Sequence, residues 1–110
     1  MTSRTLINAT CPECRGPLTE IRDENLVEYE CLVGHRYGPE ALLHAHADTQ
    51  ERALWSAVVA LEESRNIVRS VGQHMPPEVR SSLESEAEQK SQQAERIKEI
   101  IQHLTPFRTM

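Results

Sequence analysis

Three cysteines and one histidine in the first third of the chain have the residue types and spacing of a metal site. Cys11 and Cys14 are separated by two residues, and Cys31 is followed by His35 after three more, which gives C-x2-C-x16-C-x3-H. A two-residue gap lets both side chains of a tight turn reach one ion, and thiolates with an imidazole are ligands that zinc prefers. The pattern predicts one Zn²⁺ ion held by these four residues, in the layout of a zinc ribbon.

Two other interpretations of the cysteines are weaker. Ordinary reduced cysteines in a small core would not require a histidine at this distance, and a redox CxxC pair expects a βαβ context, which the pattern lacks. An odd number of cysteines also argues against a closed set of disulfides. Because four protein ligands leave no open position for water, we expect the zinc to be structural and not catalytic.

Two short strands are predicted between the cysteine pairs. Apolar and polar residues alternate over residues 18–22 and, less cleanly, over residues 26–30, and residues 23–25 supply a turn. Gly16 and Gly34 give the backbone freedom beside the metal ligands. A two-stranded hairpin is only marginally stable in water, so the metal is expected to stabilise it.

The periodicity becomes helical after Gly38. Pro39 suits the first position of a helix, and the Pro76–Pro77 pair cannot continue one, which predicts helices at about 39–72 and 77–104. Asp48 and Glu51 have capping-box spacing, which leaves open whether the first helix is continuous or bent near residue 48. We therefore predict a small α+β fold, with a zinc-ribbon β-hairpin at residues 1–38 and an antiparallel two-helix hairpin at residues 39–110.

The first helix carries more apolar surface than one partner helix can cover. A central stripe is flanked by further apolar residues, and these two sets are Ala47, Leu54, Val58, Leu61 and Val68, and Trp55, Val59, Ile67 and Val71. Such a surplus is typical of an interface. We predict a protein-binding surface at Leu54, Trp55, Val58 and Val59, with either a signalling protein or a second copy of the chain as partner.

Composition and charge disfavour several classes of function. The net charge is −5. Acidic residues outnumber basic ones by six to four in residues 1–38, by five to three in residues 39–76 and by six to four in residues 77–104. Because no segment is basic, binding to nucleic acid is disfavoured. The chain has no membrane-length apolar run and no signal-peptide pattern, which predicts a cytoplasmic protein without membrane contact. With no acid–base pair or activated nucleophile identified, we predict a non-enzymatic protein.

Three stretches resemble the C-terminal extension of some bacterial chemotaxis protein-glutamate methylesterases. They are CPECRGPLTEI, LVEYECLVGHRYGPEALL and ERALWSAVVALEE, in the same order as the family's CPxCxGxL, RYRCxVGHxYSPExLL-like and ALWxAxxxLEE motifs. The similarity covers roughly residues 10 to 104 and is specific in residues 11–43 and 53–63. Gly38 stands where the family often has serine, which weakens a hydroxyl helix cap but leaves the metal positions intact.

The resemblance implies an accessory module, here free-standing and without the methylesterase domain, because neither a GxSxG-like turn nor a receiver pattern is present. By resemblance alone, the expected context is bacterial signal transduction. We predict a non-enzymatic, zinc-stabilised protein-interaction or regulatory module. A nucleic-acid-binding zinc ribbon and a metal or redox sensor remain the alternatives.

Overall fold

The protein has a small α+β fold in which a four-stranded antiparallel sheet precedes two helices. The computed structural model describes residues 1–104, so residues 105–110 of the predicted helical arm lie outside the described part. The elements are β1 (Thr2–Thr10), β2 (Pro17–Asp23), β3 (Leu26–Cys31), β4 (Arg36–Tyr37), α1 (Pro39–Gly72) and α2 (Pro77–Gln102). Neither α1 nor α2 is long and apolar enough to cross a membrane. The predicted fold class is confirmed.

The sheet is built around the predicted hairpin but is wider than expected. β2 and β3 pair from Leu18↔Cys31 to Asp23↔Leu26, and residues 24–25 form the turn. β1 and β4 were not predicted, and they extend the hairpin on both sides in the order β1-β2-β3-β4. Most β1 side chains are exposed, so the strand lacks the alternation that identifies a half-buried strand.

The sheet and the beginning of α1 form one compact unit, Met1–Thr49. Its buried side chains are Cys11, Leu18, Cys31 and Tyr37, and the half-buried residues packed against them are Ile7, Ala9, Tyr29, Leu42 and Ala45. Leu42 and Ala45 belong to α1, so the first turns of that helix are part of the same core. The chain therefore divides between Thr49 and Gln50, inside α1 and not at its start.

From Gln50 onward, α1 and α2 form an antiparallel hairpin. Glu62 lies 3.0 Å from Lys98, and Arg69 lies 3.1 Å from Glu84, so residues later in α1 contact residues earlier in α2. The buried positions of this unit are mostly small: Val58, Gly72, Ala87 and Ala94. The distance between two packed helices depends on the side chains at their contact, and small residues at these positions permit a short one.

The turn between the helices is closed by an arginine. The Arg80 side chain donates hydrogen bonds to the carbonyl oxygens of Gly72 and Met75, both at 3.2 Å. The last carbonyls of a helix lack partners within the helix, so this guanidinium satisfies groups at the end of α1. Pro77 is the first residue of α2, where its missing N–H would have no partner within the helix, and no side chain caps this helix.

Candidate metal centre

The first pair of cysteines lies in a tight turn between β1 and β2. The Cys11 N–H donates to the Gly16 carbonyl at 2.7 Å, and the Arg15 N–H donates back to the Cys11 carbonyl at 2.9 Å. Arg15, and not Gly16, adopts the left-handed conformation, with φ of 66°. A Cβ at Gly16 would lie 3.4 Å from the Cys14 sulfur, at the near limit of ordinary van der Waals contact.

The second pair of ligands lies in the corresponding turn between β3 and β4. The Gly34 N–H donates to the Cys31 carbonyl and the Cys31 N–H to the His35 carbonyl, both at 3.1 Å. Gly34 has φ of 103°, a conformation that side chains with a Cβ rarely adopt. The His35 backbone N–H also donates to the Cys31 sulfur at 3.3 Å. The two turns therefore present their side chains to each other.

The four predicted ligands converge. One donor atom from each of Cys11, Cys14, Cys31 and His35 lies within 4.8 Å of all the others. The Cys14 and Cys31 sulfurs are 3.6 Å apart, and His35 Nδ1 lies 3.2 Å from the Cys31 sulfur and 3.6 Å from the Cys11 sulfur. A tetrahedron with Zn–S bonds of about 2.3 Å has S–S edges of about 3.8 Å. Size and donor set therefore fit a tetrahedral metal ion.

Hydrogen bonds favour the thiolate form at two of the three cysteines. Burial raises the pKa of Cys11, but the contact with the Tyr37 hydroxyl and hydrogen bonds from the Cys14 and Glu13 backbones together outweigh it and lower the pKa to about 6. Burial also raises the pKa of Cys31, but hydrogen bonds from the His35 backbone, the Cys14 side chain and the Val33 backbone together outweigh it and lower the pKa. Since thiolates are the metal-binding form, the local backbone prepares both sulfurs for a cation.

The pKa values of Cys14 and His35 are shifted in the opposite direction, upward. A backbone hydrogen bond at Gly16 lowers the pKa of Cys14, but burial and the neighbouring Cys31 and Cys11 raise it overall. Hydrogen bonds to the Cys31 and Cys11 sulfurs raise the pKa of His35. The cluster therefore retains protons that an incoming cation must displace, so metal binding is expected to release protons.

Two further side chains contact the cluster and were not identified from the sequence as part of it. The Tyr37 hydroxyl donates a 2.6 Å hydrogen bond to Glu13 Oε1 and lies 3.5 Å from the Cys11 sulfur. Glu13 Oε2 lies 3.4 Å from His35 Nε2. The position of Glu13 between Cys11 and Cys14 is the one sequence signal for a role beside the metal.

The predicted partner surface is partly available to solvent. Trp55 is 46 % exposed and Val59 51 % exposed, whereas Leu54 is half-buried. Val58 is only 2 % exposed, so its side chain belongs to the core and not to a docking surface. The exposed apolar residues of α1 continue at four-residue intervals, with Glu63 between them, through Ile67 and Val71.

Comparison of the chain with protein-family models, with curated proteins and with solved structures gave no match. The resemblance to the methylesterase extension therefore rests on the sequence motifs alone, and the site must be interpreted from its own geometry.

Proposed function

We propose that the protein is a non-enzymatic interaction module in which one structural Zn²⁺ ion stabilises the N-terminal sheet and the helical hairpin binds a protein partner. The convergence of Cys11, Cys14, Cys31 and His35 carries the metal half of this proposal. A role as an accessory in bacterial signal transduction, in the cytoplasm, is the context that the sequence motifs favour.

A structural role for zinc is supported by the composition and position of the donor set. Three thiolates and one imidazole fill a tetrahedron, whereas a catalytic site uses three protein ligands and keeps one position for water. Cys11 and Cys31 are also two of the four buried side chains of the sheet unit. A metal at this point would join both turns of the sheet from within its core.

The interaction surface is supported by exposed apolar side chains on α1. Trp55 and Val59 follow each other by one helical turn, and both are about half exposed. Tryptophan is strongly enriched among the residues that dominate binding energy at protein interfaces. We therefore assign partner binding to Trp55 and Val59, with the half-buried Leu54 beside them. The partner on this proposal is another protein or a second copy of the chain.

Nucleic-acid binding is less well supported, because the arginines of the sheet are engaged with carboxylates. Arg4 and Arg36 both contact Glu30, at 3.5 and 2.7 Å, and Arg22 lies 3.3 Å from Glu20. Phosphate binding would have to compete with these ion pairs in an acidic protein. The charge of the sheet is thus locally balanced and not concentrated in a basic surface.

A metal or redox sensor is the second candidate, and exposure of one ligand favours it. Cys14 is solvent-exposed, and its sulfur lies 3.6 Å from that of Cys31. An accessible thiolate is the ligand that an oxidant reaches first. Rapid zinc release under mild peroxide would favour a sensor, whereas a site that retains zinc would favour a purely structural ion.

Two measurements on purified protein test the proposal. Elemental analysis should give one zinc per chain, and Cys11→Ser or Cys31→Ser should abolish it. Analytical ultracentrifugation should compare the self-association of wild type and Trp55→Ala. The same two proteins should be used to capture partners from a bacterial lysate, with half of each sample treated with nuclease. Leu32→Ala is the matched control, since Leu32 is an exposed apolar residue of the sheet unit.

The outcomes separate the candidates. An association that is lost in Trp55→Ala, kept in Leu32→Ala and indifferent to nuclease supports the interaction module. Recovery of only nuclease-sensitive material would favour a nucleic-acid ribbon. If wild type binds no zinc, the metal half of the proposal is wrong.

A further inference from the structure

A closed ring of contacts surrounds one side of the Cys3His cluster. His35 Nδ1 lies 3.6 Å from the Cys11 sulfur, which lies 3.5 Å from the Tyr37 hydroxyl. That hydroxyl donates to Glu13 Oε1 at 2.6 Å, and Glu13 Oε2 returns to His35 Nε2 at 3.4 Å. Two of the four residues come from the first turn, one from the second and one from β4. Two members of the ring, Tyr37 and Glu13, are not proposed ligands, and they add a second link between the two turns.

The orientation of His35 determines which of its nitrogens can bind a metal. Nδ1 faces the sulfurs of Cys31 and Cys11, whereas Nε2 faces the Glu13 carboxylate. A ligating nitrogen must present a free lone pair, so in the neutral ring the proton must reside on the other nitrogen. A carboxylate beside Nε2 favours a proton there, and this leaves Nδ1 free to bind the cation.

Tyr37 in turn restricts Glu13. The phenol ring is 8 % exposed and belongs to the core of the sheet unit, so its hydroxyl has a fixed position. The Glu13 side chain is 59 % exposed and would otherwise sample several rotamers. A 2.6 Å hydrogen bond from a buried tyrosine to a carboxylate is short and charge-assisted, and it holds one oxygen while the other faces His35.

We propose that Glu13 is a positioning residue for the metal centre: its carboxylate selects the His35 tautomer that leaves Nδ1 free, and Tyr37 holds that carboxylate in place. This inference rests on the proposed zinc site. It assigns a role to the glutamate of the CPEC turn that its sequence position alone does not reveal. Glu13 acts through His35, Tyr37 acts on His35 through Glu13, and neither residue contributes a metal ligand.

The test compares Glu13→Ala, Glu13→Gln and Tyr37→Phe with wild type. Glu20→Gln is the matched control, because Glu20 is a partly exposed glutamate of the same sheet whose partner is Arg22 and not a ligand. Zinc affinity is measured by competition with a chromophoric chelator. Loss of an outer residue that orients a metal-bound histidine typically weakens affinity about 10- to 100-fold, which we expect for Glu13→Ala.

The other variants should lose intermediate amounts of zinc affinity or none. Glu13→Gln retains one oxygen acceptor but cannot accept from both His35 and Tyr37, so it should lie between wild type and Glu13→Ala. Tyr37→Phe keeps the buried ring and removes the hydroxyl, and its loss of affinity should be smaller than that of Glu13→Ala. Glu20→Gln should bind zinc as wild type does.

A spectroscopic readout separates positioning from simple stabilisation. In ¹⁵N-labelled zinc-loaded protein, long-range ¹H–¹⁵N correlation spectra should identify Nδ1 of His35 as the metal-bound nitrogen and Nε2 as protonated. The Nε2 proton should exchange with solvent faster in Glu13→Ala and remain protected in Glu20→Gln. Ligation through Nε2, or an affinity in Glu13→Ala within twofold of wild type, would overturn the inference while leaving the zinc site intact. Failure of wild type to bind zinc would overturn the proposed metal site and this inference together.

Discussion

Replacement of Cys31 by serine should unfold the sheet unit while leaving the helical hairpin folded. Cys31 is 5 % exposed, accepts a hydrogen bond from the His35 backbone and pairs with Leu18 across β2 and β3. The substitution therefore removes a proposed zinc ligand and places a hydroxyl in the core. Serine does not supply the thiolate that zinc prefers, so the metal would be lost with it.

The expected loss of stability is large because few buried side chains besides the proposed metal site stabilise the sheet unit. Its buried core contains only four side chains, Cys11, Leu18, Cys31 and Tyr37. Full burial of one apolar side chain contributes about 1.5–3 kcal/mol, whereas structural zinc in small domains contributes about 10–16 kcal/mol. Loss of the metal thus removes an amount comparable to the entire stability of a typical domain, about 5–15 kcal/mol.

Amide hydrogen exchange monitored by mass spectrometry is the appropriate assay, because it reports on the two units separately. In Cys31→Ser, amides of β2 and β3 should exchange at the rate of an unfolded chain, while those of α2 keep their protection. Leu32→Ser is the control, since Leu32 occupies the same turn but is exposed. Wild-type protection of β2 and β3 in Cys31→Ser would refute the claim that the metal holds the sheet.

Three further substitutions test the packing, the charge and the backbone. Ala87→Leu inserts a large side chain at a fully buried position of α2 and should lower the free energy of unfolding of the hairpin by about 1–3 kcal/mol. Thermal denaturation measures this loss, and an unchanged transition would contradict tight packing around Ala87. The Arg36 side chain lowers the pKa of Glu30 below its ordinary value of 4.5, so this carboxylate contributes stability that is present above about pH 4.5 and lost as pH falls through the lowered value. Glu30→Gln should therefore be less stable than wild type at pH 7. The difference in stability should shrink below about pH 4.5 and vanish once the pH lies below the lowered pKa of Glu30. A difference that did not change with pH would show that the ion pair is not its origin. In Gly34→Ala the added Cβ meets no atom within 4 Å, but the residue must adopt a φ of 103°, so the free energy of unfolding should fall by about 1–2 kcal/mol. Urea unfolding of zinc-loaded protein measures this loss, and an unchanged stability would contradict the turn conformation.

The convergence of the Cys3His cluster and the central hairpin were predictable because their signals are local. Each pair of ligands lies within one tight turn, so spacing alone brings Cys11 near Cys14 and Cys31 near His35. The hairpin brings the two pairs together, and its strands alternate because one face covers the core. The helix starts were equally local, since proline marks the first residue of both α1 and α2.

The missed features depend on contacts between distant residues. β1 is a strand because it pairs with β2, and most of its side chains are exposed, so its sequence lacks the alternation of apolar and polar residues that identifies a strand. Tyr37 donates to Glu13 across 24 positions of sequence, a contact that exists only once both turns are folded. Val58 was assigned to a docking surface because periodicity identifies an apolar stripe without indicating which of its members the partner helix covers.

The order of the strands has a consequence for how the protein folds. Because the spatial order β1-β2-β3-β4 equals the chain order, every pairing joins consecutive strands, and the entropy lost on closing each loop is small. All four proposed ligands also precede α1 along the chain. During synthesis the complete ligand set therefore emerges before the first long helix. Under the proposed zinc site, metal binding and sheet formation can therefore begin before the helices have been synthesised.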